Sequence, residues 1–236
     1  MELSGPVAEI GAQPAATVVL LRHHQQGPQA LMLRRSSRVA YGGMWVFPGG
    51  RVDRDDLDPL SPEDQLAAAR RAAVREVAEE TGLVVGADAL VPLAHWVPPL
   101  EAPRRFSTWF FVAAAPEGAV EVDGAEIREH RWLHPGEALR QQAEGAIELV
   151  PPTWVTLWRL RSLPSVAAAL EAARGAEPEH FSTHMVSHDG ELVALWHGDA
   201  GYDDGDVQRP GARHRLRMSP GAWRYERSAP PVDVAT

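Results

Sequence analysis

Residues 65–81 form the longest helix-favouring run of the chain. The run is rich in alanine, has no glycine or proline, and is stopped by Gly82. Ser61-Pro62-Glu63-Asp64 ahead of it reads as a cap with proline at the first helical position. At about 100° per residue, Glu76, Glu79 and Glu80 fall within an arc of about 100° on one face. Leu66, Ala73, Val74 and Val77 fall on the neighbouring face and need an apolar layer to cover them. Such a helix can pack on a sheet, with three carboxylates at the edge of the contact.

Strand-forming segments supply that sheet. Residues 16–22 are apolar and β-branched, and 29–34 reads as the partner strand, with Gln26-Gly27-Pro28 at the turn between them. Residues 44–47 read as a short strand ended by Pro48-Gly49-Gly50, and the acidic, proline-containing stretch 53–64 as a surface loop. Further strands are expected at 90–97, 106–113 and 126–133, and His134-Pro135-Gly136-Glu137 opens a short helix. After about Gly145 the texture changes. Two helices, 153–163 and 165–174, meet near Pro164, and 183–196 reads as a hairpin turning at Asp189-Gly190. From Gly198 onward the composition predicts irregular structure. Strands mixed with a few helices, without regular βαβ alternation, indicate an α+β fold. The expected division is a domain at 14–145 and an extension at 146–236.

Composition narrows the chemistry. The chain has no cysteine, which removes disulfides, thiol nucleophiles and cysteine zinc sites, and fits a reducing cytoplasm. All 23 basic side chains are arginine, so Schiff-base chemistry and a P-loop lysine are excluded. The net charge of −9 disfavours nucleic-acid backbones and anionic lipids as partners. The longest apolar runs, such as Val18-Val19-Leu20-Leu21, are far too short to span a bilayer. Residues 1–13 carry acids and no basic segment, so no secretory signal is expected. A homodimer is an assembly that the sequence leaves open.

On the helix alone, Glu76, Glu79 and Glu80 read best as a solvated acidic face, at a cost of a few tenths of a kcal/mol per like-charged pair. The other reading is a hard-cation site that binds magnesium or manganese. The flanking residues favour the second. Phe47-Pro48-Gly49-Gly50 followed by Arg75-Glu76-Val77-Ala78-Glu79-Glu80-Thr81-Gly82-Leu83 resembles the Nudix box. The resemblance implies a mixed sheet sandwiched between helices and hydrolysis of a diphosphate bond in a small nucleotide substrate. It also implies Mg²⁺ or Mn²⁺ held by Glu76, Glu79 and Glu80 with the Gly50 carbonyl, and an Arg75 that orients a glutamate. A further acid is implied outside the box. Glu126, six residues before Trp132, is the candidate base, with Glu129 and Glu101 as rivals.

The box also departs from the family. Its spaced glutamate falls at Ala67, the loop before the helix is long, and Asp53 is a candidate to take over part of the role. A Nudix-fold binding or regulatory module with little catalysis is therefore a second hypothesis, against which the retention of Arg75, Glu76, Glu79 and Glu80 argues. The segments 31–37 and 43–53, with Val150-Pro151-Pro152-Thr153 and Gly198-Asp199-Ala200-Gly201-Tyr202 downstream, look like the branch of peroxisomal coenzyme-A diphosphatases. That implies coenzyme A or an acyl-coenzyme A as substrate, with ADP-ribose or a dinucleotide as the alternative. Arg34, Arg35 and Arg51 are the substrate-binding candidates, and Arg38, Arg104 and Arg105 could also grip phosphate. The tryptophan-rich stretch 154–196 could line an apolar channel. His180, His184 and His188 have a zinc-like helical spacing, but Met185-Val186 and the Asp189-Gly190 turn favour a strand, which breaks it.

Overall fold

The computed structural model describes residues 11–36, 42–58, 61, 64–122 and 124–228. Arg38 and the Pro62-Glu63 part of the expected cap lie outside the described residues. The strands are β1 (Gln13–Arg22), β2 (Gln29–Arg35), β3 (Trp45–Val46), β4 (Gly49–Arg51), β5 (Val91–Val97), β6 (Phe106–Ala114), β7 (Ile127–Leu133), β8 (Glu179–Ser182), β9 (His184–His188), β10 (Glu191–Leu195), β11 (His214–Ser219) and β12 (Ala222–Arg227). The helices are α1 (Gln65–Thr81), α2 (Pro135–Ala143), α3 (Pro151–Leu160) and α4 (Val166–Arg174).

Eight strands make one mixed sheet in the order β3-β2-β1-β6-β5-β8, with β4 also paired to β1 and β7 to β2. The β1–β6 and β5–β8 pairs are parallel. Strand β1 shows why both faces are covered. Val18 and Leu20 point to Ala69, Ala72, Ala73 and Val77 of α1, while Val19 and Leu21 join the core under α2, α3 and α4. Burying a side chain such as Val77 contributes about 1.5–3 kcal/mol. The α+β sandwich is as expected.

Local differences have physical causes. The N-cap of α1 is Asp64, whose carboxylate accepts the Ala67 amide, and the helix begins at Gln65. Strand β3 ends at Val46, ahead of Pro48 as expected, but both glycines belong to a new strand, β4, which pairs with β1. A Cβ on Gly49 would lie 2.2 Å from the Ala16 carbonyl oxygen, so only glycine allows this approach. The acidic loop contains a 3-10 turn at Arg54–Asp56, and Asp56 is buried.

Residues beyond 198 are not irregular throughout: β11 and β12 form a second hairpin and complete a four-stranded sheet, β12-β11-β10-β9. Its Trp196, Leu216 and Tyr225 pack into the main core, and Val193 and Leu195 pack under Val207 of the 198–213 loop. Asp199 and Arg215 pin that loop with a buried two-bonded ion pair. Burial opposes the Asp199 anion, but Arg215 and the His214 and Gly201 amides outweigh it and hold the carboxyl below its ordinary range. Strand β8, unexpected from sequence, pairs with β5 and so joins the large sheet.

Candidate active site

A cleft of about 1020 Å³ opens over β1, β4, β5 and β6, beside the exposed end of α1. Each carboxylate of the helix has a different partner. Glu80 is 6% exposed and accepts the Gly49 amide through Oε2 at 2.8 Å. Glu76 lies against Gly50, where a Cβ would sit 2.3 Å from its Oε1. Glu79 is more open and turns to Arg75 at 3.1 Å. The two glycines of the box are thus the surface on which Glu76 and Glu80 rest.

Arg75 is the hub of the site. It donates to Glu76 at 2.9 Å, to Glu79, to the Arg51 carbonyl at 2.9 Å and to Asp56 at 2.9 Å. Asp53, the candidate for the missing box acid, is 3.7 Å from Arg75. The closer acid is Asp56, which also accepts the Asp53 amide at 2.8 Å. Ala67 occupies the first turn of α1 at the cap. Sequence reasoning missed Asp56 because an acidic loop reads as solvated. The Asp-x-x-Asp spacing of 53–56 is the signal that could have found it, since it forms a capping box.

Five acids and five arginines line the cleft, yet burial leaves Glu76 and Glu80 under-compensated. Burial, offset only in part by the Gly49 amide and Arg35, pushes the Glu80 carboxyl up to about 8. Burial also raises Glu76, against the hydrogen bond from Arg75 and with Glu79 and Asp53 adding repulsion. Both acids would gain from a cation. The donors are all carboxylate oxygens, which suits a hard ion. Among the described residues no three of His, Asp or Glu form a closed cluster. An ion here would therefore keep water in its shell, as magnesium usually does.

The remaining candidates separate cleanly. Glu126 lines the cleft, 3.2 Å from Arg35. Glu129 pairs with Arg131 and Arg34 away from it, and Glu101 lines a separate shallow groove. Arg35 and Arg51 line the cleft, whereas the structure places Arg34 outside it. Arg104 and Arg105 also line it, on the β5–β6 connection. Arg105 is fastened to the carbonyls of Pro98 and Pro99, and Arg104 is exposed beside it. Of the tryptophan-rich stretch, Trp154, Trp158 and Trp196 pack in or against the main core, and Trp96 is the tryptophan that lines the cleft. His180, His184 and His188 lie on strands β8 and β9, not on a helix.

Sheet, box helix and carboxylate cleft together define a protein of the Nudix fold. The NUDIX domain profile matches residues 11–152, and the chain belongs to that family. It is similar to putative nudix hydrolase 7 of Caenorhabditis elegans, with 27% identity over 169 residues. That match covers 56% of this chain and 55% of the relative, so the chain spans about half the length of the curated relative it matches. Its fold is similar to the crystal structure of a NUDIX hydrolase from Alicyclobacillus acidocaldarius, with a TM-score of 0.61 and 23% identity. That comparison covers 68% of this chain and 96% of the other. Among the described residues no helix is long and apolar enough to cross a membrane.

Proposed function

We propose that the chain is a Nudix hydrolase that cleaves a diphosphate bond in a nucleoside diphosphate derivative. The observation that carries this reading is the buried Glu80 on the Gly49 amide, beside Glu76 on Gly50, at the floor of a cleft whose other wall bears arginines. A divalent cation, magnesium or manganese, would be held by Glu76 and Glu80 with Glu79 and the Gly50 carbonyl; when bound it neutralises diphosphate oxygens and activates water. Arg75 orients Glu76 and Glu79 and does not touch substrate. Glu126 accepts the proton of the attacking water, and its contact with Arg35 keeps it in the cleft wall. Arg35, Arg51 and Arg104 bind the phosphate oxygens.

The finer reading is that coenzyme A or an acyl-coenzyme A is cut, giving 3′,5′-ADP and a phosphopantetheine product. Its support is the branch resemblance on both sides of the box and a cleft large enough for a nucleotide with an arm. We place the activity in residues 14–145 and the protein in the cytoplasm, as monomer or homodimer. The test compares specificity constants for coenzyme A, ADP-ribose, NADH and diadenosine polyphosphates under one metal condition. Preference for coenzyme A supports the finer reading. Preference for another rejects it and leaves the diphosphate chemistry standing.

A further inference from the structure

Trp109, His95 and His180 form a row across β6, β5 and β8. His95 is in register with Trp109 on one side and with His180 on the other. The next pair, Trp96 and Phe181, is also in register and stacks at 3.8 Å in the core. Side chains alternate along a strand, so the histidines lie on the face turned away from the cleft that Trp96 lines.

The two imidazoles meet through their Nδ1 atoms, 3.2 Å apart. The His95 ring is held on two further sides. Its Nε2 is 2.7 Å from Ser107 Oγ, and its plane stacks on Trp109 at 4.5 Å and 15°. His180 is exposed on β8, so the pair can be reached from solvent through that ring. Two imidazole nitrogens on one tetrahedral zinc, each at about 2.0–2.1 Å, are about 3.3 Å apart. The observed separation is therefore that of two ligands of one ion as well as that of a hydrogen bond.

The surroundings favour the ligand role. Ser107 can accept the Nε2–H of His95, and in that tautomer the Nδ1 lone pair of His95 faces His180. Burial, with His180 adding repulsion, holds His95 down at about 4, so it stays neutral at physiological pH. We propose that His95 and His180 form a second cation site, distinct from the glutamates of the cleft. Both side-chain donors are imidazole, which suits zinc, nickel or copper and not magnesium. Among the described residues no third His, Asp or Glu closes the set, so water fills the remaining positions. An ion seated there ties β8 to β5, behind the Trp96–Phe181 stack, and its first effect is on stability.

The experiment uses the full chain stripped with a chelator and kept in excess Mg²⁺, so that the carboxylates are occupied. Thermal unfolding is followed against added Zn²⁺ for the wild type, His95→Gln, His180→Gln and Glu80→Gln. The expected result is a saturable rise in Tm with one ion per chain. It is lost in both histidine variants and kept in Glu80→Gln. Electron paramagnetic resonance of the Cu²⁺-loaded protein should show coupling to two nitrogens, and to one in His180→Gln, which changes an exposed side chain. The absence of a Zn²⁺ shift, a shift unchanged in His180→Gln, or a copper spectrum without two nitrogens would each overturn the proposal. A pair that only shares a hydrogen bond gives the first of these results.

Discussion

Arg75 and Asp56 meet at the inner edge of the cleft: Nη2 of the arginine lies 2.9 Å from Oδ2 of a carboxylate that is 5% exposed. The same guanidinium reaches Glu76 and Glu79, so the acidic loop holds the helix carboxylates through one arginine. Asp56→Ala leaves Arg75 without its buried partner. It should cost about 1.5–3 kcal/mol of stability, the range for hydrogen bonds to charged groups. It should also cost about 10–100-fold in activity, the effect usual for groups that orient metal ligands. Urea unfolding and initial rates check both; unchanged activity in a folded Asp56→Ala would remove Asp56 from the site.

Gly50→Ala places a methyl 2.3 Å from Glu76 Oε1. The carboxylate end can swing aside, so the fold should survive. A displacement of this size in a reacting constellation costs about 100-fold in kcat. Circular dichroism and steady-state kinetics separate the two effects, and near wild-type kcat would show that Glu76 works from elsewhere.

In the proposed function Arg104 binds substrate phosphate and takes no part in the chemistry. Arg104→Ala should raise KM about tenfold, the loss of one charge-assisted hydrogen bond, and leave kcat in place. A fall in kcat with KM constant would contradict that role.

His214 makes stability depend on pH. Burial, with the nearby Arg227 charge, holds it below the ordinary histidine value, against the His197 carbonyl, Glu179 and Asp199. Below about pH 6.5 the unfolded chain takes up a proton that the folded chain resists, so its contribution to stability falls as pH drops from about 7. Urea midpoints between about pH 7.5 and 5.5 should decline less steeply in His214→Gln than in the wild type. Equal slopes would mean that His214 titrates alike in both states.

Much of the site was legible from a single helix. The 3.6-residue period of 65–81 placed Glu76, Glu79 and Glu80 beside a buried face, and Val77 and Ala73 do pack on the sheet. Apolar runs located β1, β2, β5 and β6, and an alternating run located β7, to within a few residues, because each buries at least one face. What sequence hid was long-range. Strand β8 is four residues long, and pairing with β5 defines it more than its own pattern does. The β11–β12 hairpin carries arginines in its strands, and Arg215 reads as surface until Asp199 is seen to neutralise it. Asp56 was hidden in the same way, since a loop acid declares itself only when Arg75 arrives from 19 residues further on.

Glu80, the buried carboxylate that the fold presents to the cleft on the Gly49 amide, is central to the proposed hydrolysis. The direct measurement is turnover of a panel of nucleoside diphosphate derivatives, with products identified by mass, for the wild type and Glu80→Gln. Each is assayed with magnesium, with manganese and with chelator. The proposed hydrolysis requires two phosphorylated products that appear only with a divalent cation, and a rate at least about 100-fold lower in Glu80→Gln, as for loss of a group central to transition-state charge. Cleavage that persists in chelator, or a Glu80→Gln enzyme with near wild-type turnover at saturating cation, would contradict it.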